Sequence, residues 1–168
     1  MATLFDLSPA DVADTSDDWY TPPWLFDAAG LVFDMDVAAP VDSARRTCPA
    51  RAYLTPVEDG LAHPWHGVVW CNPPYSGPAP WVARFAAHLD GLMLVPAARS
   101  RWLGMLIAAA DASALVSCEF TRPDGSKVSP GGMALVLAAR GSACIAALTR
   151  VAAADKLANG AYHVRPGS

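Results

Sequence analysis

The sequence predicts an α/β fold with a mostly parallel sheet, and three observations carry that expectation. Leu92-Met93-Leu94-Val95, ending at Pro96, is a continuous apolar run of the kind found in parallel strands covered on both faces. Short apolar segments of this type alternate with stretches of helical spacing at 24–29, 80–89, 102–110 and 142–157. Two later apolar segments, 114–120 and 133–139, are joined by a loop without a helix, so they should pair as an antiparallel C-terminal hairpin.

A chain of 168 residues is enough for one domain with a real core. Residues 1–18, with Asp11, Asp14, Asp17 and Asp18 among small residues, read as a flexible lead-in to a single domain over 19–168. The net charge of -4 does not mark the whole chain as a nucleic-acid binder, so any such contact needs a local basic patch. No apolar run approaches membrane-spanning length and no signal pattern opens the chain, which points to a cytoplasmic protein without a membrane partner. Cys48, Cys71, Cys118 and Cys144 are scattered, fitting neither a metal spacing nor a disulfide scaffold, and read as reduced, buried thiols.

Trp19-Tyr20-Thr21-Pro22-Pro23 comes first after the lead-in. The prolines can open a helix over 24–29 with Thr21 as its N-cap, and Gly30 stops it. The first strand is expected over 31–39, broken at Pro40, with Asp34 and Asp36 along it. A polar loop with Arg45 and Arg46 follows, then a strand over 52–55 ending in a turn that contains Asp59-Gly60. A third apolar run, Val68-Val69-Trp70-Cys71, ends at Asn72-Pro73-Pro74-Tyr75, because proline cannot continue a ladder. After the loop 76–80, the helix over 80–89 should bury Trp81, Val82, Phe85 and Leu89 and end at Gly91. Arg99, Arg101 and Trp102 then stand at the carboxyl end of the 92–96 strand, and Arg122 and Lys127 lie in the Gly/Pro/Ser-rich loop 121–132. The helix 142–157 closes the pattern, with His163 and the tail at the surface.

Chemistry concentrates at Asn72. Ligands in open α/β sheets bind at the carboxyl ends of strands. An Asn side-chain oxygen beside a Pro carbonyl gives two acceptors that can grip both N–H groups of a planar amine. Pro73 and Pro74 stiffen that arrangement before the substrate arrives, which is preorganisation. Tyr75 offers a ring on which a base can stack, worth roughly 1–3 kcal/mol. The tetrapeptide resembles the signature of amino-methyltransferases that use S-adenosylmethionine (AdoMet). That resemblance implies a cofactor site made from the Tyr20-Thr21-Pro22 turn, from Asp36 and Ala38 after the first strand, and from Asp59 after the second. There is no Gly-x-Gly loop, which argues against a dinucleotide site of the common kind.

Four motifs in order extend the likeness: Trp-Tyr-Thr-Pro at 19–22, Asp-Val-Ala-Ala at 36–39, Tyr-x-Thr with Glu-Asp-Gly-Leu over 53–61, and Trp-Cys-Asn-Pro-Pro-Tyr-Ser at 70–76. Trp81-Val82, the 94–99 run and Trp102 also fit, so the match runs from Trp19 to about Leu137. Together they resemble the phage-type, Dam-like family of DNA N6-adenine methyltransferases. Ala38 and Asp42-Ser43 stand where that family usually carries Cys and Asn. The resemblance implies a Rossmann-like AdoMet-dependent methyltransferase fold, AdoMet as cofactor and no metal. It also implies adenine N6 in DNA as acceptor, attacked directly and in line while flipped out of the duplex. DNA contacts would fall on Ser76, Arg99, Arg101, Trp102, Arg122 and Lys127. A phage- or prophage-encoded protein in a bacterial host, as a monomer or a homodimer, completes the expectation. The residues alone leave open other planar nitrogens, namely protein glutamine, RNA guanine or cytosine N4. They leave open, too, an inactive AdoMet-fold binding protein, or a regulatory α/β protein whose Pro-rich strand end is only a turn.

Overall fold

The structure is a computed structural model. It describes residue 17, residues 19–128 and 134–155, and the backbone of 162–164. The expected lead-in over 1–16 and 18, the loop residues 129–133 with the start expected for a strand at Met133, the helix end at Leu157 and the tail over 165–168 lie outside the described residues.

Helices alternate with strands for most of the chain. They are α1 (Pro23–Ala29), β1 (Phe33–Asp36), β2 (Ala50–Tyr53), β3 (Val69–Cys71), α2 (Ala79–Ala87), β4 (Gly91–Pro96), α3 (Arg101–Ala109) and β5 (Ala112–Val116). A two-residue ribbon, β6 (Phe120–Thr121) and β7 (Lys127–Val128), precedes β8 (Leu135–Arg140), α4 (Ser142–Ala154) and β9 (Tyr162–Val164). The main sheet has seven strands in the order β2-β1-β3-β4-β8-β5-β9. β2, β1, β3 and β4 are parallel, β8 runs against both β4 and β5, and β9 against β5. Five strands therefore share one direction.

Each face of this sheet carries a core. On one side α1 and α4 cover Phe33, Trp70, Leu92, Leu94 and Leu137; on the other α2 and α3 cover Met35, Val69, Met93, Val95 and Val136. This alternation explains why β4, buried along its whole length, reads as an unbroken apolar run. Among the described residues no helix is long and apolar enough to cross a membrane.

Several expectations need correction. α1 starts after Pro22 with no side-chain cap, and the buried Thr21 hydroxyl turns instead to Asn72. Gly30 does stop α1 in the left-handed conformation, its N–H returning to the Phe26 carbonyl. α2 ends at Ala87, so Leu89 leaves the apolar face and is 73% exposed; Gly91 opens β4, where a side chain would strike Val69. The segment 114–120 splits, because the Ser117 N–H leaves the ladder to bond the Asp155 carboxylate at 2.5 Å. β5 and β8 do pair antiparallel, but β8 lies between β4 and β5 and not at the edge of the sheet; β9, where only a tail was expected, pairs outside β5.

Candidate active site

The parallel strands bring their carboxyl ends to one edge, and a cavity of about 1000 Å³ opens there. β1 contributes Asp36, with Ala38 and Ala39 just beyond it; the β2 end contributes Thr55, Asp59 and Gly60; the β3 end contributes Asn72 and Pro74. Trp19, Tyr20 and Thr21 close one side. The sequence-derived residues Tyr20, Thr21, Asp36, Ala38, Asp59 and Asn72 thus line one space, although they lie 52 positions apart at the extremes, from 20 to 72. Pro22, Pro73 and Tyr75 are outside the lining.

Asn72 is fixed by its amide nitrogen. Nδ2 donates to the Trp19 carbonyl at 3.0 Å and to Thr21 Oγ1 at 3.3 Å. Only an N–H can face that carbonyl, so the side chain has one acceptable orientation. Its oxygen, Oδ1, is then buried with no partner among the described residues. A buried carbonyl oxygen left empty costs about 1–3 kcal/mol, which a donor brought to it would recover.

Asp36 is 4% exposed at the end of β1, and one carboxylate oxygen accepts from the Ala38 N–H at 3.2 Å. Burial pushes this carboxyl up to about 7, opposed by that N–H and by the Arg46 guanidinium. Asp17, Asp42 and Asp59 share the lining with it, against the single guanidinium of Arg45, itself 3.1 Å from Asp42 and over the Tyr20 ring. Such a wall attracts a cation and repels a phosphate-rich nucleotide. The same burial raises the Cys48 and Cys71 thiols well above their ordinary range, so neither is a thiolate nucleophile.

The turn after β2 is shaped by close approach. Asp59 holds a positive φ of 59°, and its carboxylate takes the Leu61 N–H at 3.0 Å. A Cβ on Gly60 would sit 1.9 Å from the Val37 carbonyl oxygen and 3.0 Å from the Trp81 ring. The Gly60 carbonyl also accepts from Trp65 Nε1 at 2.7 Å. Gly60→Ala should therefore lower stability by roughly 1–3 kcal/mol. Gly77→Ala, where a Cβ meets nothing within 4 Å, should leave it nearly unchanged. Thermal unfolding of the two variants checks the contrast.

Tyr75 stands behind the cavity wall. Its ring meets Trp19 edge-on at 5.2 Å and Phe120 at 6.1 Å, and of these three rings only Trp19 lines the cavity. The Tyr75 hydroxyl is buried without a partner among the described residues, and burial raises its pKa well above the ordinary value. Tyr75→Phe should accordingly hold or raise Tm, by up to a few degrees for about 1 kcal/mol. A fall in Tm on calorimetric scanning would show that the hydroxyl has a partner after all. Ser76, next along, is exposed and both its N–H and hydroxyl bond to the Asp17 carboxylate, at 3.1 and 2.5 Å.

The basic candidates do not line the cavity. Arg99 and Arg101 are exposed after β4, and Trp102 packs partly buried on the α2–α3 core. Arg122 and Lys127 are exposed on the β6–β7 ribbon. Because β3, β4 and β5 run in one direction, all these segments follow carboxyl ends at the same edge as the cavity. The ribbon is tied to that edge by Tyr20, which exchanges backbone hydrogen bonds with Thr121 at 2.9 and 3.1 Å.

Sequence reasoning missed Trp19, Thr47, Cys48, Leu54, Trp70 and Trp81 as lining residues. Thr47 Oγ1 donates to the Thr21 carbonyl at 2.7 Å, and nothing local in a polar loop signals such a bond. Trp81 gave more warning, since it stands in the first turn of the helix that follows the Asn-Pro-Pro-Tyr turn.

Comparison with known proteins places the chain. The family model for DNA N-6-adenine-methyltransferase (Dam) matches residues 10–144. A DNA N-6-adenine-methyltransferase of Haemophilus phage HP1 is 36% identical over 71 residues, a match that spans 39% of each chain. No solved structure matches the chain.

Proposed function

Because the chain belongs to the DNA N-6-adenine-methyltransferase (Dam) family, we propose that it transfers a methyl group from AdoMet to N6 of adenine in DNA. The observation that carries this reading is Asn72, which lines an acidic cavity and whose buried Oδ1 has no partner among the described residues. The strand order, with a reversed β8 between β4 and β5, supports a Rossmann-like AdoMet-dependent methyltransferase fold. One domain over 19–168 would carry the reaction.

The residues present fit AdoMet. Asp36 offers a buried carboxylate to a cationic ligand, and Asp59 and Gly60 share the same lining. Tyr20, Asp36, Ala38 and Asp59 would hold the cofactor, while Thr21, its hydroxyl engaged by Asn72, lines the site and Pro22 fixes the turn behind it. When bound, AdoMet supplies an electrophilic methyl group on a sulfonium, for direct in-line attack by a flipped-out adenine. Asn72 Oδ1 and the Pro73 carbonyl hold the two amine protons and draw the nitrogen lone pair out of the ring, while Pro74 stiffens their support. No general base is required early, because the amine becomes acidic only once methylated. Trp19, the member of the Trp19–Tyr75 pair that lines the cavity, would stack the base with Tyr75 packed behind it, which offsets the few kcal/mol needed to extrude it. Enclosure by Trp19, Tyr20 and Thr21 excludes water and orients the acceptor.

Ser76, Arg99, Arg101, Trp102, Arg122 and Lys127 would contact DNA around the cavity mouth. Phosphate contacts of this sort position the duplex without specifying sequence. Target choice falls to the loops 40–51, 76–80 and 121–132, or to a second copy of the chain in a homodimer. The phage relative supports a phage- or prophage-encoded enzyme working in the host cytoplasm. Incubation with labelled AdoMet and, separately, DNA, RNA or protein tests the reading. Label in adenine is expected; label in cytosine N4, RNA guanine or protein glutamine would move the substrate. Absence of AdoMet binding in calorimetry would leave only a binding protein.

A further inference from the structure

We propose that Thr21 is a positioning residue for the acceptor amide of Asn72, a role that rests on the function proposed above. The two ends of an Asn amide have the same shape, so packing cannot choose between them; hydrogen-bond partners must. Presented the wrong way, Asn72 would offer N–H groups to an amine that also brings N–H groups. The Trp19 carbonyl, which can only accept, makes that choice at 3.0 Å, and Thr21 Oγ1 takes the second N–H at 3.3 Å, so that both amide protons are held and the direction of Oδ1 is fixed.

Those acceptors are themselves anchored from two sides. The Thr21 carbonyl takes the Thr47 hydroxyl at 2.7 Å, and the neighbouring Tyr20 pairs through its backbone with Thr121 on the β6–β7 ribbon. Thr21 is 4% exposed, begins no cap for α1, and has its hydroxyl directed to Asn72. Replacing that hydroxyl leaves one amide proton buried without an acceptor and leaves the amide held by the Trp19 carbonyl alone, free to rock about that one bond.

Thr21→Val keeps the side-chain shape and removes the acceptor. It should lower kcat for DNA about 3- to 10-fold, the share of one lost hydrogen bond. The AdoMet Kd and the KM for DNA should each stay within about twofold, because a defect in orientation alone weakens the transition state and spares ground-state binding. Thr21→Ser should restore most of the rate. Proton–nitrogen NMR of the Asn72 side-chain amide gives a readout independent of turnover: one of its two proton signals should move in Thr21→Val and return in Thr21→Ser. Thr21→Ala provides the same loss with less bulk should the valine variant not fold. An unmoved Asn72 signal, a parent-level kcat, a serine variant as slow as valine, or a weakened AdoMet Kd at unchanged kcat would each overturn the assignment. Should the parent chain leave DNA unmethylated, the function proposed above fails, while the NMR comparison still decides whether Thr21 orients Asn72.

Discussion

Asn72→Ala should slow methyl transfer to DNA by about 10²–10³-fold, the cost of removing one preorganised polar contact from a reacting centre. AdoMet binding should change little, because Asp36, Asp59 and the turn at Tyr20 stay in place. The reasoning rests on Oδ1, the oxygen that is buried without a partner among the described residues and held in place by its own amide nitrogen on the Trp19 carbonyl. Single-turnover rates beside calorimetric AdoMet affinities separate the two effects. A variant that binds AdoMet and still methylates at the parent rate removes Asn72 from the chemistry. Asn72→Asp should be no milder, since a carboxylate oxygen would replace the N–H now 3.0 Å from the Trp19 carbonyl.

Asp36→Asn should weaken AdoMet binding by about 2–5 kcal/mol, the usual cost of removing one partner of a buried charge pair. The pH dependence identifies the cause. Asp36 titrates near 7 in the free protein, raised chiefly by burial from an ordinary value of 3.8. Its neutral form therefore contributes stability that is fully present below about pH 4 and is lost as pH rises through about 7. A cationic ligand reverses the preference, favouring the carboxylate. Binding below pH 7 must then expel a proton, and AdoMet affinity should rise as pH climbs from 5 to about 7, by up to tenfold per unit. In Asp36→Asn that slope should vanish. A slope that persisted in the variant would place the titrating group elsewhere.

The parts of the fold that were legible in the sequence are those set by short-range chemistry. Gly30 ends α1, the prolines after Asn72 end β3, and the unbroken apolar run of β4 announces a strand buried on both faces. The four motifs placed Asp36, Asp59 and Asn72 at strand ends, where the structure brings them to one cavity. What stayed hidden depends on partners distant in sequence. Thr21 has the local form of an N-cap, yet its hydroxyl meets an amide 51 residues away. The run 114–120 reads as one strand until Asp155 draws the Ser117 N–H out of the ladder. Tyr75 reads as an open stacking plate, but Trp19 lies across it. Leu89 follows the helical spacing of α2 and still ends exposed, because the helix stops at Ala87.

Nucleoside mass spectrometry of DNA from cells expressing either the parent chain or Asn72→Ala tests the central claim most directly. The account requires N6-methyladenine with the parent and its near absence with the variant, at matched protein levels. Methyl groups on cytosine, unmodified DNA with the parent, or equal N6-methyladenine from both chains would contradict it.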